Sequence, residues 1–252
     1  MKVSSAENLS LMNSRQWVVA WAVAVACLFA CLEIVAVPAQ QFDANLVIQR
    51  VDAAVKARVD HVAGYTVTEH YAVYRGKDEN HPVAEITVRT EYKQETGKSY
   101  TILSQSGSTF IQNHVLATIL DREKEINLPG NREHSWITSA NYQMQLKSGV
   151  LERINERDCL ALAINPKSKA PNLIQGTLWV DAKDGSIVRV EGTASQSPSI
   201  FTGLAHVERQ YASMDGYEMA THAKAVSDSF LLGRTVITID YRDYQMQLRP
   251  TK

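Results

Sequence analysis

Cysteine is almost missing from the body of this 252-residue chain: Cys27 and Cys31 fall in a leading apolar run, and Cys159 stands alone in the remainder. With that leader set aside no intrachain disulfide can form, so the fold must be held by packing. Blocks of one charge are missing too. Lys and Arg total 26 against 27 Asp and Glu, a formal net charge of -1, and their dispersal leaves no basic stripe of the kind that marks a nucleic-acid binder. Local catalytic signatures are also absent. No G-x-G-x-x-G, G-x-x-x-x-G-K-[ST], G-x-S-x-G or H-E-x-x-H occurs, which removes the motif-based readings of nucleotide binding, serine hydrolysis and zinc proteolysis. The seven histidines, His61, His70, His81, His114, His134, His206 and His222, keep no metal-ligand spacing. No metal or other cofactor is expected.

What is present begins with a leader. Lys2 and Arg15 precede an uncharged run from Trp17 to Leu32, which is broken by Glu33 and followed by Ile-Val-Ala-Val-Pro-Ala39. This is the order of a secretory signal, with Val37 and Ala39 in the small-residue positions of the cleavage site. The run is shorter than the ~20 residues of a spanning helix. Residues 1–39 are therefore expected to be removed, leaving 40–252 as a single periplasmic domain. The alternatives are an anchor retained at residues 17–37 and a lipid on Cys31, where Phe29 fits the lipid-attachment box poorly. Cleavage removes Lys2, Arg15, Glu7 and Glu33, two charges of each sign, so the net charge does not change.

The remainder reads as a helix followed mostly by strands. Ile48, Val51, Val55, Val59 and Val62 recur at steps of three and four opposite Arg50, Asp52, Lys56, Arg58 and Asp60, which predicts an amphipathic helix from Asp43 to about Gly64. Tyr65–Tyr74 and Ala84–Tyr92 alternate like half-buried strands. Ser99–Ser104 is a further strand, and Phe110, Ile111, His114, Val115, Thr118 and Ile119 fit a second helix toward Asp121. Strands are expected at 141–146, 151–155, 159–164, 206–211, 218–225 and 235–244. The strongest hairpin signal joins Gly176–Asp181 to Ser186–Gly192, with Asp184-Gly185 expected to supply positive-φ turn positions.

Possible chemistry in these segments has plainer explanations. The pairs Asp181 with Asp184, Glu152 with Glu156, and Asp240 with Asp243 resemble acid–base pairs. Asp184 is nevertheless a turn residue, and strand alternation puts Asp240 and Asp243 on opposite faces. Cys159 sits in Cys-Leu-Ala-Leu-Ala-Ile164, where a small buried hydrophobe is the expected role, whereas a reactive thiol needs basic, exposed surroundings.

The secretory segment, opening helix, interrupting helix, Gly-Thr-Leu-Trp-Val-Asp…Asp-Gly-Ser-Ile-Val-Arg-Val hairpin and closing Thr-Ile-Asp-Tyr-Arg-Asp-Tyr strand together resemble the LolA/LolB/RseB-like superfamily of periplasmic proteins, over most of residues 41–248. The resemblance implies a mainly β (α+β) fold: a half-open, strongly curved antiparallel sheet, or incomplete barrel, with helices over its concave face. It further implies an apolar cavity for lipid or lipoprotein acyl chains, no catalysis, and at most transient membrane contact. The family's gating basic residue has no assignable counterpart. Trp136, Trp179, Phe201, Leu204, Phe230 and Leu231 are the candidate cavity residues, each with core packing as the alternative. The rival function is an interaction or signalling module that binds an envelope protein. N-terminal sequencing of the exported protein should give a first residue at or near Gln40; a chain that keeps residues 1–39, or carries lipid on Cys31, would sink that assignment.

Overall fold

The computed structural model describes residues 42–197, 203–229 and 233–250. The leader lies outside the described residues. The described residues open with α1 (Ala44–His61), whose N-terminus is closed by the Asp43 carboxylate accepting from the Asn45 and Leu46 N–H groups at 2.8 and 3.4 Å. Its buried positions, Val47, Val51 and Val55, are four apart and form one face. The stripe therefore starts at Val47, one residue before the Ile48 expected from the spacing. No loop follows. Val62 is already extended and donates its N–H to the Arg58 carbonyl, so the helix passes directly into β1 (Val62–Arg75).

Next come β2 (Ala84–Lys93) and β3 (Gly97–Gly107). The second helical rod is less regular than its sequence suggests. One turn, α2 (Thr109–Ile111), is capped by Ser108, widens into a π-helix over Gln112–Leu116, and continues as α3 (Ala117–Ile126), passing the expected end at Asp121 by more than a turn. A 3-10 turn, Arg132–Ser135, then leads to β4 (Tyr142–Leu146), β5 (Glu152–Ile154) and β6 (Arg157–Pro166). The series ends with β7 (Ile174–Asp181), β8 (Ile187–Ala194), β9 (His206–Met214), β10 (Tyr217–Ser229) and β11 (Gly233–Leu248).

All eleven strands join one antiparallel sheet in the order β3-β2-β1-β11-β10-β9-β8-β7-β6-β4, with β5 also paired to β6. The first strand thus pairs with the last, in a register that runs from Val62 opposite Leu248 to Arg75 opposite Thr235. The sheet does not close into a barrel, because β3 and β4 end the order without meeting. It is nevertheless strongly curled. Arg157 on β6 makes ion pairs of 2.8 Å with Asp181 on β7 and 2.9 Å with Glu218 on β10. Four strand spacings of about 4.8 Å would put β6 and β10 roughly 19 Å apart in a flat sheet, beyond the reach of one arginine.

Two apolar centres fill the concave side. One gathers Val47, Val51 and Val55 of α1 against Leu160, Leu162, Ile164, Leu178, Val180 and Val190 of β6, β7 and β8. The other packs Ile111, Leu116 and Leu120 of the second rod on Tyr71, Val73, Ile86 and Val88 of β1 and β2. Each helix covers a different part of the same curved surface. Cys159 is fully buried, and burial pushes its thiol up to about 11, so it stays protonated at neutral pH. Among the described residues no helix is long and apolar enough to cross a membrane.

Of the expected Asp184-Gly185 turn pair, only Gly185 has positive φ, at 78°. That glycine does a second job. A Cβ there would lie 2.5 Å from the Arg50 carbonyl carbon and 2.6 Å from the Arg50 Cβ, so α1 can seat on the β7–β8 turn only because this side chain is missing. The Arg50 guanidinium adds a 3.0 Å bond to the Ala182 carbonyl in the same turn. Gly185→Ala should lower stability in urea denaturation by about 2–3 kcal/mol, from the left-handed φ and the clash together. Gly76→Ala, with a similar φ of 73° and no neighbour within 4 Å, should lose only about 1 kcal/mol. Equal losses would remove the helix contact from the explanation.

Candidate functional site

The two helical units leave a cavity of about 240 Å³ on the concave face. Its apolar surface comes from Val55, Val59 and Val62 at the end of α1, Ile126 at the end of α3, Trp136 and Ile137 after the 3-10 turn, and Ile174, Ile187 and Met219 from the sheet. Tyr65, Tyr92, Tyr142, Tyr211, Tyr241 and Tyr244 contribute rings that end in hydroxyls. Tyr65 stacks on Tyr92 with centroids 5.0 Å apart and tilts against Tyr244 at 5.7 Å. The Tyr244 hydroxyl donates to the Ala220 carbonyl at 2.9 Å, and Arg132 donates to the Tyr92 hydroxyl at 3.0 Å. The Asn141 amide holds the 3-10 turn by donating to the Glu133 and Trp136 carbonyls at 2.7 and 2.9 Å. The walls are set before any ligand arrives.

The same space contains buried charge. Lys98, with a side chain only 8% exposed, lies 2.9 Å from the Glu123 carboxylate and 3.8 Å from that of Glu69, itself 1% exposed. Glu69 also accepts from the Tyr71 hydroxyl, while its Oε1 has no hydrogen bond. Burial works against the Lys98 ammonium, but Glu123 and Glu69 outweigh it and hold the group well above its usual pKa. Burial also works against ionised Glu123, and Lys98 and Arg209 override it to keep the carboxyl below its usual range. Tyr65, Tyr71, Tyr241 and Tyr244 are all pushed up by burial, so their hydroxyls stay neutral at physiological pH. Arg209, on β9, stands apart. It makes none of the ion pairs among the described residues, and its Nε is cut off from solvent without a hydrogen-bond partner. Tyr211, which hydrogen-bonds it, Tyr241 and Glu123 hold its pKa above the usual arginine value against the effect of burial.

No protein-family model matches the chain, and no curated protein matches it. Solved structures do. A LolA superfamily protein from Nitrosomonas europaea shares 12% identity at a TM-score of 0.41, over 83% of this chain and 96% of that one. An outer membrane lipoprotein-sorting protein domain from Vibrio parahaemolyticus shares 15% at 0.47, over 81% and 92%. A DUF1329 family protein from Desulfovibrio piger shares 12% at 0.39, over 80% and 93%.

The apolar cavity that the LolA resemblance implies differs from what these residues build, because hydroxyls and charges make up much of the lining. Of the six candidate residues, the structure places Trp136 in the cavity wall. Trp179 points the other way. It alternates with buried Leu178 and Val180, donates its indole N–H to Glu152 at 2.8 Å, and carries the Arg189 guanidinium 5.1 Å over its ring. Leu204 is 53% exposed just before β9 and does not line the cavity. Phe201, Phe230 and Leu231 lie outside the described residues. The carboxylate pairs are also accounted for. Asp181 and Asp184 both face Arg157, at 2.8 and 3.7 Å, and Asp240 accepts from or pairs with His222 at 2.8 Å. Asp243 has φ of 56°, where the β1–β11 register slips, so simple alternation does not describe its position.

Lys98, Glu123, Arg209 and the cavity tyrosines were not singled out by sequence. Alternation marks Tyr241 and Tyr244 only as strand residues, and nothing local separates Arg209 from any surface arginine. A depressed Glu123 pKa contributes stability above its unfolded value of about 4.3, lost as pH falls through the folded value. Glu123→Gln should therefore lower stability by about 2 kcal/mol at pH 7, with the difference from wild type closing below about pH 4. Unfolding curves between pH 3 and 7 measure this, and a pH-independent difference would detach Glu123 from the Lys98 pair.

Proposed function

We propose that this chain is an exported, non-enzymatic periplasmic protein that takes up a lipid or lipoprotein acyl chain between its curved sheet and its two helical units, as a carrier or a sensor. The cavity beneath α1 and α3 carries the reading. Apolar ligands favour concave, preformed sites with a few fixed polar groups, and the stacked tyrosines and pinned 3-10 turn fix these walls in advance. Residues 1–39 would serve only for export, and delivery would need transient contact with a membrane or an envelope partner.

A second reading is favoured by β3. It is one outer edge of the sheet, 11 residues long, with Ile102 and Leu103 more than half exposed. Such an edge can pair with an extended segment of an envelope protein.

The first reading is tested with the mature domain carrying Trp179→Phe, which leaves Trp136 as the fluorescent reporter. An apolar probe such as a fluorescent fatty acid should bind with a Kd near micromolar, about -8 kcal/mol, and change Trp136 emission. Ile126→Glu should weaken that binding at least tenfold with little change in Tm. A folded domain that binds no apolar probe would refute the carrier reading and leave the β3 edge as the stronger alternative.

A further inference from the structure

We infer that the ligand is a single-chain amphiphile with an anionic head, seated with that head on Arg209 inside the cavity and its chain along Val55, Ile174, Ile187 and Met219. The inference rests on the acyl-binding reading above and names the ligand class. Its first support is the state of Arg209. An arginine Nε shut off from water without a hydrogen-bond partner is an unfavourable arrangement, and here that Nε belongs to a side chain that forms part of the cavity wall. The neighbouring charges do not supply the missing partner. Glu123 is engaged by Lys98 at 2.9 Å, the Tyr241 hydroxyl is pushed up by burial and stays neutral, and Tyr211 hydrogen-bonds the guanidinium yet leaves Nε unpartnered. A carboxylate or phosphate matches the planar fork of an arginine with two parallel hydrogen bonds.

The second support is position. Arg209 pairs with Val190 and Ala223 on the neighbouring strands, and it interacts electrostatically with Tyr142 and Tyr211 on one side and with Tyr241 and Glu123 on the other. It thus stands where the apolar centre under α1 gives way to the buried charges around Lys98. A ligand with one polar end fits that boundary, whereas a wholly apolar one would lie against the charges.

The third is size. About 240 Å³ exceeds the ~150 Å³ that admits a benzene ring and falls below the ~300–1,000 Å³ of pockets that enclose drug-sized molecules. One medium chain fits, and three side by side do not.

The test measures displacement of a bound apolar probe from the mature domain by decanoate, decanoyl lysophosphatidate and decanol. At least one of the anionic ligands should bind at least tenfold more tightly than decanol. A preference for decanoate assigns the head to a carboxylate source, and a preference for the lysophosphatidate assigns it to a phosphate source. Arg209→Gln should bring the anions down to the decanol value, while Arg209→Lys should keep part of the preference. Equal affinity of wild type for decanol and both anions overturns the anion site but leaves acyl binding intact. Failure of all three to displace a probe, or of any probe to bind, overturns both. The wild-type comparison needs no variant, so misfolding of Arg209→Gln cannot obscure the result.

Discussion

The Arg157–Glu218 ion pair states a geometric condition on the whole sheet: strands four places apart must come within the reach of one side chain. A sheet curled that far has a deep concave side, which a single helix cannot cover. The chain meets this with two separate covers, α1 over β6 to β8 and the second rod over β1 and β2. Each buries its own apolar stripe. Where the two covers fail to meet, the concave surface stays unfilled, and the cavity is what remains there. Arg58, on the last turns of α1, donates to the Glu218 carbonyl at 3.3 Å, so the same corner that fixes the curl also fixes one wall.

Buried charge in this gap has its own logic. Lys98 and its two carboxylates could not be removed from water singly without a large penalty, but together they satisfy most of one another's needs. The tyrosines around them supply neutral donors that tolerate burial. A wall made this way is rigid because each group depends on its neighbours' positions. It also differs from an oily groove, since it offers a ligand a defined polar end as well as an apolar side.

Most of the scaffold was legible in the sequence because its signals are local. Alternation in Ala84–Tyr92 and the i, i+4 valines of α1 report burial directly, and Gly185 reports a turn. The cavity was less legible because it depends on which strands the curl brings face to face. Arg209 sits in His-Val-Glu-Arg-Gln-Tyr, a run with charges on both faces, and only the pairing of β9 between β8 and β10 turns it inward. Trp179 shows the opposite error. Its size suggested a ligand contact, but the apolar residues on either side, Leu178 and Val180, claim the inner face by period two and send the indole out. Lys98 could not be recognised without Glu69 and Glu123, which come from β1 and α3 and lie far from it in sequence.

The direct passage of α1 into β1 has a mechanical consequence. A helix joined to its sheet by a loop can swing about that loop, but here the residue that ends the helix, Val62, already begins a strand held by β11. Rotating α1 outward would break that ladder. With Arg50 and Val51, in its second turn, seated on Gly185, the helix behaves as a clamped beam. Any change in the volume beneath it has to be taken up on the opposite bank, by α3 and the segment through Trp136, so a ligand and the sheet would share one fixed frame and one yielding side.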